Sequence, residues 1–367
     1  MAFTAIRLYH FRNLADTTIS TDAREIFLVG ENGQGKTNFL EAVYFVCYAS
    51  SFRTRRDEVM RTNGTEDMAV EGRFQTDAEP RSVLVKQVGR RKQIELDGAP
   101  VDDRKEIISN IPCIVFCHDD IAFVAGGPEM QRWFMNQTQS LLSPAHILDL
   151  RRYRRVLKAR NAALRDRRTD LLHALDRQLA QSGILIQARR ASLAVEVNRT
   201  LSSLFLQVFG SDRRLTVTYE PSWTDAQPPP ESPQPDLLLS DVLEDLHRSR
   251  DRDIDQRTST RGPHRDRFVF RLDGRPLTDV ASTGQLRLVS LILRVVQARL
   301  LSDVTGRLPV LLLDDVLLEL DPDRRHRFVD LLPAYDQAFF TFLPDEHYSR
   351  FRRDTTRLYE VCRGVIS

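Results

Sequence analysis

The chain has 367 residues and a formal net charge of +2, with 41% hydrophobic and 28% charged residues. Those values fit a soluble globular protein with room for two domains, or for one large domain with an insertion. They exclude a polycation, so any contact with nucleic acid has to come from local basic patches. The four cysteines (Cys47, Cys113, Cys117 and Cys362) are scattered, without a matching Cys or His pair at finger spacing. That argues against a zinc site and fits a reducing cytosol. Arg7, His10 and Arg12 interrupt any apolar run at the N-terminus, and no stretch approaches the roughly 18 apolar residues of a membrane span. A cytoplasmic protein with no membrane contact is expected.

Residues 2–8 alternate as a strand would, and Phe11-Arg12-Asn13-Leu14 makes a turn before the next strand-like stretch. Apolar Ile26-Phe27-Leu28-Val29 then leads into Gly30-Glu31-Asn32-Gly33-Gln34-Gly35-Lys36-Thr37, a full match to the phosphate-binding pattern G-x-x-x-x-G-K-[ST]. Phe39, Leu40, Val43, Tyr44, Val46 and Cys47 follow at helical spacing. In this strand–loop–helix context the glycines let backbone N–H groups wrap phosphates, and the helix N-terminus adds positive potential. Residues Gly30 to Thr37 are thus expected to bind a nucleoside triphosphate. Lys36 is expected to reach its β- and γ-phosphates and Thr37 to ligate Mg²⁺.

Antiparallel strands are predicted at 68–74, 82–88 and 93–96, the last closed by Asp97-Gly98, and a buried strand at 111–117. From about residue 145 the period becomes helical, through Leu150, Tyr153, Leu157, Leu164, Leu171, Leu175 and Leu179. Gly183 is predicted to break this run, with a second helix from 184 to about 209 closed by Gly210, giving a helical hairpin. Arg151, Arg155 and Lys158 share one helical face, which suits either phosphate-backbone contact or a solvated surface. Arg189 and Arg190 carry the same ambiguity. The Pro-rich stretch 227–235 is an exposed linker or loop. His264 and Arg265 follow a Gly-Pro turn that reaches either a ligand or only its own hydrogen-bond partners. Arg12 and Arg53 either approach the nucleotide or form surface ion pairs.

Leu308-Pro309-Val310-Leu311-Leu312-Leu313-Asp314-Asp315 reads as a strand buried on both faces and ending in two carboxylates. Asp314 is placed to hold Mg²⁺ beside Thr37, and Asp315 to orient or deprotonate the attacking water. Glu319-Leu320-Asp321-Pro322 starts a turn into a helix over 323–332. Ser282-Thr283-Gly284-Gln285 heads a long apolar helix over 286–301, where hydroxyl, glycine backbone and helix N–H groups make a second anion site. Taken alone, that segment fits a simple Ser cap. In a dimer, the P-loop of one subunit and the helix head of the other clamp one γ-phosphate. The two halves of the nucleotide site lie in 1–145 and 255–367, separated by a helical insertion at 146–254.

These segments in this order, together with Ser50-Ser51-Phe52-Arg53, Arg152-Tyr153-Arg154-Arg155-Val156-Leu157-Lys158, Gly262-Pro263-His264-Arg265-Asp266 and Gln337-Ala338-Phe339-Phe340-Thr341, make a pattern that has a name. Over nearly its whole length the chain resembles the ABC-type ATPase heads of SMC and Rad-type repair proteins, and more narrowly the RecF family of bacterial recombination mediators. The fold implied is α/β, an ABC-type P-loop ATPase head whose mixed sheet is flanked by helices, with an inserted helical lobe. The cofactors implied are ATP and Mg²⁺. The resemblance further implies an ATP-dependent homodimer that binds duplex, gapped or junction DNA. Such a protein works with RecR and RecO-type mediators to load RecA, in repair, replication restart and the SOS response. Its hydrolysis is weak, DNA-stimulated and coupled to dimer dissociation.

By matching position, Gly30 to Thr37 bind the triphosphate, Lys36 and Asp315 are catalytic, and Thr37 and Asp314 hold the metal. Ser282, Gly284 and Gln285 act across the dimer. The rival reading is a nucleotide-gated structural DNA clamp of SMC-head type with little hydrolysis. A transporter ATPase is disfavoured by the helical insertion and the missing switch histidine, near whose place Thr341 stands. A GTPase would need an N-K-x-D motif, which the chain lacks. Other departures from the family pattern are Thr283, Arg267, His118-Asp119-Asp120, Gln131 and Asn136.

Overall fold

The computed structural model describes residues 2–76, 79–108, 110–210, 212–223, 235–317, 320, 322–346 and 348–367. Residues 227–234 of the Pro-rich stretch, and Glu319 and Asp321, lie outside them. The chain forms two compact units, one of Met1–Asp119 with Ala298–Ser367 and one of Asp120–Gln297.

The first unit opens with β1 (Ala2–Tyr9), β2 (Thr17–Ser20), β3 (Glu25–Val29), α1 (Lys36–Tyr48), β4 (Asp67–Gln75), β5 (Pro80–Val88), β6 (Arg91–Leu96), β7 (Ala99–Pro100), α2 (Lys105–Ile108) and β8 (Cys113–Phe116). The second contains α3 (Ala122–Ala125), α4 (Pro128–Leu142), α5 (Ala145–Arg165), α6 (Leu172–Phe209), β9 (Leu215–Glu220), α7 (Pro235–Arg248), α8 (Arg250–Gln256), β10 (Arg267–Leu272), β11 (Arg275–Pro276), α9 (Leu277–Val280) and α10 (Thr283–Thr305), whose last turns count with the first unit. The first unit resumes with β12 (Val310–Leu313), α11 (Pro322–Leu331), β13 (Gln337–Phe342), β14 (Thr356–Cys362) and β15 (Val365–Ile366).

Two sheets build the first unit. One is antiparallel, in the order β2-β1-β4-β5-β6-β7. In β4 the residues Met68, Val70 and Phe74 are buried while Arg73 and Gln75 face out, the alternation of a sheet with one wet face. The other sheet has the order β15-β14-β3-β13-β12-β8, parallel from β14 to β8. Its strands β3, β8, β12 and β13 are buried at every position, so they read as largely apolar runs, broken only by buried Glu25 in β3 and by Gln337 and Thr341 in β13. Helix α1 packs on both sheets. Phe39 meets Phe339 of β13 with ring centroids 6.2 Å apart, and a Cβ at Gly72 of β4 would strike Val46 at 2.6 Å. A helix enclosed on both sides has no polar face to show, which explains its nearly all-apolar sequence.

In the second unit α5 and α6 pair around Tyr153, Val156, Leu179, Ala180 and Ile184, with Trp223 and α7 completing the core. The predicted hairpin is present, but its turn lies between Arg165 and Leu172, and Gly183 does not break the helix. Helix α6 runs unbroken for 38 residues. A Cβ at Gly183 would lie 2.4 Å from the Trp223 ring, so this glycine makes room for the indole. Packing has overridden a helix-propensity penalty of about 1 kcal/mol. The unit also holds α4, most of α10 and the antiparallel sheet β11-β10-β9, so it is wider than the insertion expected at 146–254. Among the described residues no helix is long and apolar enough to cross a membrane.

Candidate nucleotide-binding site

The parallel strands carry their C-terminal ends to one edge of the sheet, and the P-loop leaves β3 there. Gly35 stands at φ 123°, and a Cβ on it would meet Leu14 at 2.8 Å, so only glycine allows the Phe11–Leu14 turn to lie against the loop. The C-terminal β14–β15 hairpin clasps the loop from another side. The N–H of Gly364 donates to Gln34 O at 2.9 Å and that of Arg363 to Gln34 Oε1 at 2.6 Å. Lys36 is buried, its Nζ donating to Gly30 O at 2.6 Å and Glu31 O at 3.2 Å. No side chain caps the N-terminus of α1, which leaves its first N–H groups available to an anion.

Across the sheet edge, Thr37 Oγ1 donates to Asp314 Oδ1 at 2.8 Å. The two residues expected to share a metal are therefore brought together. Asp314 is half-buried by exposed area, yet protein encloses its carboxyl closely enough that desolvation raises its pKa to about 6. The Thr37 hydrogen bond opposes that rise and neighbouring Asp315 adds to it. Asp315 stands at φ 52°, with its backbone N–H and Oδ1 both bonded to the Thr341 hydroxyl.

Two features here were not legible in the sequence. Glu41, on α1, is fully buried and accepts from Arg12 Nε and Nη2, both at 2.8 Å, from Ser51, and from Arg53 Nη1 at 3.4 Å. Arg53 also donates to Asn38 Oδ1 at 2.8 Å, and Asn38 donates to Asn13 Oδ1 at 2.7 Å. One carboxylate thus ties both flanking loops to the P-loop helix; its place in an apolar helix next to no charged motif had given no signal. Glu346 is the second. Burial pushes its carboxyl above the usual range, the Leu343 N–H and Arg325 pull it back, and Asp315 and Lys36 act on it as well. It lies within electrostatic reach of the site from the segment after β13.

Ser282, Gly284 and Gln285 belong to the other unit, where Ser282 and Gly284 are exposed. Ser282 Oγ accepts from Gln285 N at 3.3 Å, and Gln285 Oε1 accepts from Ser282 N at 2.9 Å. This reciprocal pair is a capping box, so an anion at this helix head would have to compete with it. In α5, Arg151, Arg152, Arg154, Arg155 and Lys158 are exposed, whereas Arg160 is buried between Asp176 and Asp253, each at 2.6 Å. Arg189 pairs with Asp149, and buried Arg190 with Asp266 at 2.8 Å, so neither is a free phosphate ligand. His264 is held by its own fold: Tyr153 OH lies 2.7 Å from Nδ1 and Ser259 O lies 3.0 Å from Nε2.

The sequence profile of the RecF/RecN/SMC N terminal domain matches residues 2–366. The DNA replication and repair protein RecF of Treponema pallidum (strain Nichols) is 39% identical over 358 residues, covering 97% of this chain and 98% of that protein. RecF of Anaeromyxobacter sp. (strain Fw109-5) is 33% identical over 369 residues, covering 100% and 99%. Among solved structures, that of the recombination mediator protein RecF-ATP in the RecFOR pathway has a similar fold, with a TM-score of 0.90 at 24% identity over 100% of this chain and 97% of that one. The chain belongs to the RecF/RecN/SMC N-terminal domain family, and within it to the RecF proteins of DNA replication and repair.

Proposed function

We propose that this protein is a cytoplasmic, ATP-dependent, DNA-binding recombination mediator that helps load RecA at gapped DNA, with RecR and RecO-type partners, in repair, replication restart and the SOS response. The observation that carries the nucleotide reading is the hydrogen bond from Thr37 to Asp314, formed beside the buried Lys36 at the carboxyl edge of the sheet. The solved RecF-ATP structure supports ATP as the nucleotide.

The residues present fit Mg²⁺. The donors are hard oxygens, and an Asp314 carboxyl raised to about 6 by desolvation is a group that a neighbouring cation would relieve. Among the described residues no cluster of three or more His, Cys, Asp or Glu could hold a metal, so Thr37 and Asp314 would share it with phosphate oxygens and water. When bound, Mg²⁺ neutralises charge on the triphosphate. The remaining work falls to the chain. The N–H groups of residues 30–37 hold the phosphates, and Lys36 exchanges the Gly30 and Glu31 carbonyls for phosphate oxygens. Asp315 orients the attacking water and takes its proton. Ser282, Gly284 and Gln285 of one subunit complete the site of another in an ATP-driven homodimer, which slow hydrolysis separates.

For DNA, the exposed face of α5 offers Arg152, Arg154, Arg155 and Lys158, a sequence-independent phosphate surface. The clamp reading with little hydrolysis draws on the tie between Asp315 and Thr341, which a water-activating role has to accommodate.

ATP hydrolysis with and without duplex DNA, at two protein concentrations, tests the proposal. A rate per subunit that rises with DNA and with concentration supports it. A rate indifferent to both would sink the dimeric mechanism. Asp315→Asn is expected to trap an ATP-bound dimer that Lys36→Ala does not form.

A further inference from the structure

Asp315 holds a left-handed backbone conformation, φ 52°, uncommon outside glycine though aspartate tolerates it better than most residues, and here it is held by hydrogen bonds. One side chain supplies both restraints. Thr341 Oγ1 accepts from the Asp315 N–H at 2.7 Å and donates to Asp315 Oδ1 at 2.8 Å. A hydroxyl has one proton to give, and the competing acceptors, Leu313 O and Asp314 Oδ1, stand farther off at 3.5 Å. The proton therefore goes to Asp315. Its other oxygen, Oδ2, has no partner among the described residues.

Strand register puts the hydroxyl there. On one side of β13, Phe340 pairs with Leu313 of β12; on the other, Thr341 pairs with Leu28 of β3. Strand β13 thus lies between the strand that enters the P-loop and the strand that ends in the two acids. Thr341, 3% exposed at its carboxyl end, sits at the seam of the two motifs.

We infer that Thr341 is a positioning residue for Asp315. Its hydroxyl occupies one carboxylate oxygen and the backbone N–H, fixes the acid in its left-handed pose, and leaves Oδ2 for the attacking water. This rests on the ATPase reading above. A short acid needs such a hold, because a carboxylate free to rotate would spend much of its time away from the water it must orient.

The test uses the full chain as wild type, Thr341→Val and Thr341→Ser, each also in an Asp315→Asn background. Three quantities are measured: single-turnover hydrolysis at saturating Mg·ATP, the ATP dissociation constant, and amide hydrogen exchange over residues 313–317 without nucleotide. Valine keeps the shape and strand preference but removes both hydrogen bonds; serine keeps both. We expect Val to slow hydrolysis by about tenfold or more with ATP affinity within roughly threefold, and Ser to stay within roughly threefold of wild type in both. Val should speed exchange over 313–317 by about tenfold and cost nothing further once Asp315 is Asn, because residues acting as a unit are non-additive.

A Val variant that hydrolyses ATP like an active wild type overturns the inference, as does a Ser variant as slow as Val. Should Val not fold, Thr341→Ala takes its place under the same criteria. If the wild type binds ATP but does not hydrolyse it, the ATPase reading fails and the water-positioning role fails with it. Exchange still reads the hold on Asp315 in that event, and unchanged exchange in Val shows that Thr341 does not restrain the acid at all.

Discussion

Thr37 and Asp314, 277 positions apart in the chain, are joined by a hydrogen bond of 2.8 Å from the threonine hydroxyl to the aspartate Oδ1. The P-loop and the acidic strand end are therefore in contact through the two side chains expected to share Mg²⁺. Thr37→Val removes that hydroxyl while keeping the shape. It is expected to abolish most of the enhancement of ATP binding by Mg²⁺, weakening affinity by about tenfold or more, with roughly 1 kcal/mol lost from folding stability. Equilibrium ATP binding with and without Mg²⁺ checks this. An undiminished Mg²⁺ effect would mean that the hydroxyl is only a structural link.

Glu41 is the hub of the loops around the site. Its side chain is fully buried, while Arg12 is 19% and Arg53 41% exposed. Removing the carboxylate strands the Arg12 guanidinium, whose Nη1 would keep only the Val59 carbonyl at 2.7 Å. Glu41→Ala is expected to cost about 3 kcal/mol, at the low end for breaking a buried ion pair because Arg12 reaches some water. Glu41→Gln should cost less. Urea unfolding measures both, and a loss under about 1 kcal/mol for Ala would show the clamp to be energetically idle.

Gly183 decides between two opposite expectations. From helix propensity alone, Gly183→Ala would stabilise α6 by about 1 kcal/mol. The Trp223 ring 2.4 Å from the new Cβ reverses the sign, and overpacking of about 1–3 kcal/mol is expected to win. Thermal unfolding of the variant should therefore show a lower midpoint. A higher one would mean that Trp223 moves aside freely.

His264 makes stability depend on pH. Burial lowers its pKa from 6.5 to about 4, with the Ser259 carbonyl opposing and Arg265 reinforcing the shift. The folded state disfavours the proton, so the unfolded chain takes it up first as pH falls. This contribution is fully present above pH 6.5 and is lost progressively down to about 4. The loss reaches about 3 kcal/mol by the end of that window. Comparing urea midpoints at neutral pH and near the lower limit, His264→Gln should show a flatter pH dependence than wild type. Equal slopes would exclude His264 as the titrating group.

The P-loop, its helix and the acidic strand were legible because each is a short run whose pattern encodes local geometry: apolar strand, glycine turn, helix spacing. The strands leading to Asp97-Gly98 were legible for the same reason: β5 and β6 pair antiparallel, and the Asp97-Gly98 turn folds β6 back onto β7. Gly183 misled because its partner Trp223 is 40 positions away in the chain and nothing local points to it. Glu41 gave no sign for a related reason. A single acid on a helix reads as surface until the two loops that cover it are seen to carry arginines. Ser282 was legible as a simple cap beside the anion-site reading, but the return bond from Gln285 that completes a capping box was not.

By itself the sequence determined the chemical vocabulary of this protein: a glycine loop with Lys36 and Thr37, and a buried strand ending in Asp314 and Asp315. Hydrogen-bonding capacity and backbone freedom are properties of residue type and near neighbours, so short motifs carry them. Only the tertiary structure decided that β13 lies between β3 and β12, that Thr341 therefore meets Asp315, and that Glu41 gathers two loops. Strand order and register follow from how whole apolar faces bury one another, and that balance is settled among residues hundreds of positions apart.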